Sequence, residues 1–305
     1  MLNVLNLIRW KNLLMIALTQ LLVKYALLEP FGVAISLDGI GISLLIFATI
    51  CIAAAGNIIN DIYDVETDFV NKPHKLIVGN SISEKTAYNL FIVLNFIGVG
   101  VGFYLSHAVG KSAFFSLFVI ISALLYVYAT YLKRTLLIGN IVISILVALS
   151  VLIVGIFELL PALTLENRDI QLTFFKIIFD YAVFAFLLNL IREITKDVED
   201  IDGDYKAGMN TLPIAIGRDR TGNVLFVLSL IPVLILIYYI VNSLYKNMLS
   251  AGYFVFFIVG PLIFVSIKLF SAKSKKDYHL ISSLIKLVMF FGVLSLLIYY
   301  FNLKN

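Results

Sequence analysis

Residues 40–68 read IGISLLIFATICIAAAGNIINDIYDVETD. From Ile40 to Asn60 the run has no charged side chain, and then Asp61, Asp64, Glu66 and Asp68 arrive within eight positions. A helix over 40–63 is about 36 Å long at 1.5 Å per residue, enough to cross a hydrocarbon core about 30 Å thick. The segment predicts a transmembrane helix whose end carries a face of carboxylates.

The same ruler places further spans near 12–29, 87–109, 112–131, 137–160, 173–194, 222–243, 250–270 and 280–302, nine in all. Pro30, Pro73, Pro161 and Pro213 fall in or beside the loops between them. Ser81 and Glu84 have the spacing of a capping box before the third span. Of 305 residues, 61% are hydrophobic and 14% charged, and the mean hydropathy is +1.00. A soluble domain is about 45–50% apolar and about 25% charged. No polar segment is long enough to bury a core of its own, so residues 1–305 are expected to form a single membrane domain. The expected fold is all-α, a polytopic membrane protein of nine transmembrane helices around a central cavity.

The net charge of +4 is no nucleic-acid signature, because the cations sit in loops between apolar spans. They are unevenly divided. Sixteen of the 23 Lys and Arg residues lie on the side of the N-terminus and of the loops after spans two, four, six and eight. The positive-inside rule assigns that side to the cytoplasm and favours a cytoplasmic membrane. Lys24, Lys176 and Lys286 belong clearly to neither side. Arg9 and Lys11 precede an apolar run with no small-residue cleavage site after it, so the first span is expected to be retained. Cys51 is the single cysteine, which excludes an intrachain disulfide and a cysteine-based metal site.

Asn57, Asp61, Asp64 and Asp68 are spaced i, i+4, i+7, i+11, on one face of a helix. Glu193, Asp197, Asp200 and Asp204 repeat the spacing, each 136 residues after its counterpart. Like charges on one face repel, and taking carboxylates out of water costs several kcal/mol each. A divalent cation compensates for both. Mg2+ prefers hard oxygen ligands and commonly joins one or two carboxylates to substrate phosphates. Two facing stripes can thus hold a diphosphate through two or more such ions. Two other readings stand beside this one: solvated helix ends at the membrane surface, and a cation-coupled membrane transporter with paired intramembrane carboxylates.

Cations accompany the stripes. Lys72 and Lys75 flank Pro73 and His74 after the first; Lys133 and Arg134 follow the fourth span; Arg9 and Asn12 open the first span; Arg192 and Lys196 lie inside the second stripe. Lys and Arg suit phosphate oxygens as point charge and bidentate fork respectively. Lys273, Lys275 and Lys276 read as membrane anchors, and His74 as a loop histidine. Tyr63, Tyr126 and Tyr128 are expected near the cavity, where an aromatic face can shield a carbocation. The chain has no phosphate-binding P-loop, dinucleotide glycine fingerprint, zinc spacing or nucleophile elbow.

Asn60-Asp61-x-x-Asp64-x-x-x-Asp68 resembles the first aspartate motif of UbiA-type intramembrane prenyltransferases, and Asp200-x-x-x-Asp204 followed by Gly208 resembles their second. Tyr128 through Arg134, with Gly139 and Asn140, is similar to the loop after the fourth helix, whose Lys and Arg bind diphosphate in that family. The likeness covers essentially the whole chain. It implies Mg2+-assisted loss of diphosphate from an allylic isoprenoid and capture of the carbocation by a lipophilic acceptor. It also implies that Asp61, Asp64, Asp68, Asp200 and Asp204 bind Mg2+-diphosphate, with Asp197 a sixth carboxylate. Asn57 and Asn60 would orient ligands, and Lys133 and Arg134 would clamp the leaving group. The stretch Arg192 to Asp204, then Gly208-x-x-Thr211-Leu212-Pro213, is most similar to geranylgeranylglyceryl phosphate geranylgeranyltransferases. An aromatic acceptor, as in quinone or tocopherol synthesis, remains the alternative. Lys72, Lys75 and Leu76 depart from the family's usual two arginines and proline, and Lys cannot reproduce an Arg fork.

Overall fold

The computed structural model describes residues 2–303, with side chains described for 2–74 and 76–299. Among the described residues nine helices are long and apolar enough to cross a membrane: Trp10–Phe31, Gly39–Tyr63, Glu84–Ala108, Ser112–Thr130, Ile138–Leu159, Arg168–Lys206, Arg218–Leu244, Met248–Ser271 and Lys275–Tyr299. No strand forms among the described residues beyond one bridge between Val78 and Ile82. The chain is an all-α, multi-pass integral membrane protein.

The sixth span runs past its expected boundary, while the second ends where expected but the acidic stripe beyond it does not continue the same helix. The sixth continues without a break to Lys206, 39 residues in all, or about 58 Å at 1.5 Å per residue. That is longer than a hydrocarbon core about 30 Å thick requires, and the second acidic stripe lies towards its C-terminal end. The second span behaves differently. It stops at Tyr63, Asp64 leaves helical geometry at φ −95° and ψ 0°, and a short helix Val65–Asn71 restarts. The first stripe is therefore split across two helices, and Asp68 does not share a continuous helix with Asn57 and Asp61 as the spacing predicts.

Capping explains where the helices start. Asp38 accepts the Gly41 N–H at the head of the second span. The expected Ser81–Glu84 box does not form: Ser83, next to Glu84, caps the third span by accepting the Thr86 N–H. Ile82 is still engaged in the bridge to Val78, which keeps the chain out of helix for one residue longer. A capping box forms instead at the ninth span, between Ser274 and Asp277.

The helices close a ring. The second span packs on the third and fourth, the fifth on the sixth, the sixth on the ninth and the seventh on the eighth; the ninth returns against the first. Without water, burial gives no drive for helix association in lipid, and close contact through small residues takes its place. Ala48, Ala54, Ala55 and Gly56 provide that on the buried side of the second span. Phe96, Leu234, Phe256 and Ile267 point outward, as side chains facing lipid should.

Remote from the stripes, Lys24 and Glu158 form an ion pair at 2.8 Å, with 1% and 0% of their side chains exposed. Lys24 also donates to the Leu37 carbonyl, and Glu158 accepts the Leu37 N–H. The pair ties the first span to the fifth and to the loop between spans one and two.

Candidate active site

The ring encloses a cavity of about 880 Å³. One half of its wall is polar and includes both acidic stripes; the other is apolar, with Ile16, Ile52, Phe118, Leu125, Leu146 and Ile153. Asn57, Asn60, Asp61, Asp64 and Asp68 line it from the first stripe, and Asp197, Asp200 and Asp204 from the second. The split at Asp64 does not take Asp68 out of the wall, because the restarted helix turns back against the sixth span.

Each stripe is met by cations from elsewhere in the chain. Arg9 Nη2 donates to Asp61 Oδ1 at 2.7 Å. Lys133 Nζ donates to Asp64, and Lys72 Nζ to Asp200. Asp197 accepts from the Asn140 amide at 2.7 Å. Asp68 and Asp204 make no ion pair among the described residues. Burial, reinforced by the Asp64 charge, pushes the Asp68 carboxyl up to about 6. Burial works to lower the Lys72 ammonium, but Asp200 beside it outweighs that and holds it above its usual value.

Arg9 occupies the one left-handed backbone conformation among the described non-glycine residues, φ 53° and ψ 51°. Such a conformation costs roughly 1–3 kcal/mol. It kinks the chain between the short helix Leu2–Leu7 and the first span, and two bonds to the second span hold it there: Arg9 to Asp61, and Asn57 Nδ2 to the Ile8 carbonyl at 3.0 Å. The Asn57 amide donor is thus spent on backbone. Asn60 donates to Asp64, which leaves its buried Oδ1 with no hydrogen-bond partner.

Whether these residues fit a divalent metal depends on their donor atoms. Among the described residues no three His, Cys, Asp or Glu side chains already converge as a metal cluster. The donors are nevertheless hard oxygens, and Asp200 Oδ1 is buried without a hydrogen bond. Mg2+ needs only one or two carboxylates when diphosphate and water complete its shell. The set fits such an ion, with the present cations standing as counter-charges.

The sequence profile of the UbiA prenyltransferase family matches residues 27–294. The chain belongs to that family. It is 35% identical over 247 residues to the digeranylgeranylglyceryl phosphate synthase of Korarchaeum cryptofilum, covering 80% of each chain. It is 31% identical over 258 residues to the Methanosphaera stadtmanae synthase of the same name, covering 82% of this chain and 86% of that one. Solved structures share the fold. One, from structural and mechanistic work on digeranylgeranylglyceryl phosphate synthase in membranes, has TM-score 0.64 at 24% identity and covers 98% of this chain and 97% of that one. Another, a UbiA homologue from Archaeoglobus fulgidus bound to DMAPP and Mg2+, has TM-score 0.55 at 19% identity, covering 96% and 99%. The transporter reading of the paired carboxylates gives way to this membership.

Not every residue singled out in the sequence reaches the cavity of this UbiA-family protein. Arg9, Asn12, Lys72, Tyr128, Lys133, Arg192 and Lys196 line it. Arg134 does not: its side chain is exposed, and its carbonyl accepts the Asn210 N–H. In the one-turn helix Leu132–Arg134, neighbouring side chains diverge, so only Lys133 turns inward. The Lys75 side chain lies outside the described residues. Tyr63 and Tyr126 are also absent from the lining, and Tyr126 packs on Phe91 instead.

Among the other wall residues, Asn71 and Asn189 carry no sequence signal of their own. Asn71, Asn189 and Glu193 all line the cavity. Glu193, in the second stripe, pairs with its neighbour Arg192 at 2.8 Å and with Lys196, three residues on, at 3.0 Å. Gly139 explains why the Lys133 loop sits so close: a Cβ there would come within 2.6 Å of the Leu132 carbonyl oxygen and 2.7 Å of Lys133 Cα. Backbone atoms cannot yield as a flexible side chain can, so any larger residue would push Lys133 away.

Proposed function

We propose that this protein transfers a geranylgeranyl group from its diphosphate to the glyceryl hydroxyl of geranylgeranylglyceryl phosphate, with Mg2+ as the metal. The observation that carries the reading is the likeness to digeranylgeranylglyceryl phosphate synthases over about four fifths of both chains. The cavity supports it, being polar at one end and apolar at the other, as a diphosphate with an isoprenoid tail requires. UbiA homologues of this fold bound to DMAPP or GPP with Mg2+ support the donor class.

In the proposed reaction the bond between C1 of the prenyl chain and the diphosphate oxygen breaks, and diphosphate leaves with the electron pair. The glyceryl oxygen then bonds to C1 and loses its proton. Bound Mg2+ would offset the charge that develops on the departing oxygens. Asp61, Asp64, Asp68, Asp200 and Asp204 would hold the metal and its diphosphate, with Asp197 behind them on Asn140. Lys133 and Lys72, engaged by Asp64 and Asp200, would supply positive charge to the diphosphate beside those carboxylates. The Asn60 Oδ1, buried without a hydrogen bond, would be one more oxygen able to hold the metal. Tyr128 gives the polar half of the wall an aromatic ring suited to a carbocation. We also read residues 1–305 as one membrane domain, with the N-terminus and both motif segments on the cytoplasmic side of the cytoplasmic membrane.

The test is product analysis by mass spectrometry. Purified protein receives Mg2+ and geranylgeranyl diphosphate, with geranylgeranylglyceryl phosphate and aromatic acids as competing acceptors. A digeranylgeranyl ether that disappears with EDTA is the expected product. A prenylated aromatic in its place would overturn the acceptor assignment while leaving prenyl transfer intact.

A further inference from the structure

A second electrostatic feature, set apart from the carboxylates of the two stripes, stands at the polar wall and reaches just behind it to Lys286, which is not itself part of the lining. Lys286 lies within the ninth span, 11 residues after Lys275, or about 16 Å along the helix. It is only partly exposed, and among the described residues it makes no ion pair. Its Nζ donates at 2.6 Å to Oδ1 of Asn12, a residue of the cavity wall. A lysine within a span is expensive unless it is paired or faces a cavity with work to do.

Arg192 is its counterpart on the sixth span. It lines the same cavity, and its Nε is buried with no hydrogen-bond partner. Its other end shares Glu193 with Lys196. Asn12, which Lys286 engages, lines the cavity together with Arg9, Arg192 and Lys196, so the four cations gather at one corner of it. Four cations, Arg9, Arg192, Lys196 and Lys286, meet two paired carboxylates, Asp61 and Glu193. Asp197 turns instead to Asn140. Even with Asp197 counted among its carboxylates the corner holds at least one cation in excess, and a phosphate monoester carries about −1.5 to −2 at neutral pH. A monocarboxylate would supply one.

We propose that Arg192, Lys196 and Lys286, with Asn12, form the subsite for the phosphate of the acceptor, separate from the carboxylate-lined site of the donor diphosphate. The assignment rests on the proposed function and adds to it the groups that choose a phosphorylated acceptor. Arg192 stands eight residues, about 12 Å, along the sixth helix from Asp200. That separation lets one ligand place its phosphate on the cationic corner while its hydroxyl approaches the donor bound between the stripes. The unpartnered Arg192 Nε would gain a phosphate oxygen, and the Lys286 ammonium a counter-charge. Asn12 holds that ammonium against the wall meanwhile.

The test compares binding of geranylgeranylglyceryl phosphate with that of its unphosphorylated alcohol, in EDTA, where the donor site lacks its metal. Wild-type protein is expected to favour the phosphate at least tenfold. Lys286→Met and Arg192→Gln should abolish that preference, while Lys286→Arg keeps it. In Mg2+ the KM for geranylgeranyl diphosphate should stay within twofold for all three, which also reports that each variant is folded. If Lys286→Met and Arg192→Gln retain the preference, or if donor and acceptor KM rise together, the subsite is wrong although wild-type ether synthesis stands. If wild-type protein shows no preference and prenylates only an aromatic acid, the functional reading itself falls and the subsite falls with it.

Discussion

The Asn71 side chain joins the two acidic stripes through Gly203. Its Oδ1 accepts the Gly203 N–H at 3.0 Å and its Nδ2 donates to the Asp200 carbonyl at 2.9 Å. The fit depends on the missing side chain, since a Cβ on Gly203 would lie 2.2 Å from Asn71 Nδ2. One amide thereby fixes the short helix that carries Asp68 against the helix that carries Asp200 and Asp204.

Gly203→Ala is expected to push Asn71 away and shift the two stripes relative to each other. A misplacement of about 1 Å can cost about 10²-fold in rate. Turnover should fall by that order while the purified protein stays monodisperse, and Asn71→Ala should fall in the same direction. Wild-type turnover in Gly203→Ala would show that the stripes do not need this contact.

Asp64→Asn and Asp200→Asn test the carboxylates themselves. Each amide keeps the shape but loses the charge a divalent ion requires, and metal stabilisation of the leaving group is worth several kcal/mol. Single-turnover rates should drop by about a hundredfold or more in each. The assignment of metal binding to the stripes would not survive normal rates in both variants.

Asp68 sets a pH dependence on metal binding. Its carboxyl is raised to about 6 in the metal-free fold, above its usual 3.8, through burial and the Asp64 charge. The sign follows from linkage: as pH rises from about 4 to 6, the unfolded chain has already lost this proton and the fold has not, so the metal-free fold loses stability over that window. Binding a cation below pH 6 must displace the proton. Calorimetric titration with Mg2+ should show weaker binding and proton release at pH 5.5, and almost no release at pH 8. The same difference in proton release between the two pH values in Asp68→Asn as in the wild type would remove Asp68 from the site.

The Lys24–Glu158 pair should act on stability rather than on chemistry. Removing one partner of a buried pair typically costs about 3–5 kcal/mol, because the other charge is stranded. Glu158→Gln should therefore lower the thermal unfolding temperature clearly. The double variant Lys24→Met/Glu158→Met should recover part of the loss, not all of it. Its shortfall arises at Leu37, whose N–H and carbonyl both depend on the pair. A double variant no better than the single would contradict this account.

Most of the fold was legible in the chain because lipid imposes a simple rule. Backbone groups without water must satisfy one another inside a helix, so long apolar runs declare themselves one at a time. The carboxylates were legible for a related reason: acidic residues at helical spacing beside a span are costly enough to stand out from an apolar background. The partners of those carboxylates were not. Arg9 lies 52 residues from Asp61, Lys133 lies 69 from Asp64, and Lys72 lies 128 from Asp200. Such pairings depend on how the ring closes, and no local spacing encodes them.

Lys133 and Arg134 show the limit most plainly. They are adjacent and chemically alike, yet one turns into the cavity and the other to the outside, because a tight one-turn helix points neighbours in different directions. Asp64 shows it again, as a mid-motif residue that breaks the helix the spacing predicts. By itself the sequence determined nine spans and two carboxylate stripes, since each rests on apolar length or spacing within one segment, and the motifs in order carried the family resemblance. Only the tertiary structure decided which cation meets which carboxylate, how Asn71 locks the stripes together, and where Lys286 and Arg192 stand with charge to spare. Those are distances between helices far apart in the chain, and close packing of small residues at the crossings sets them.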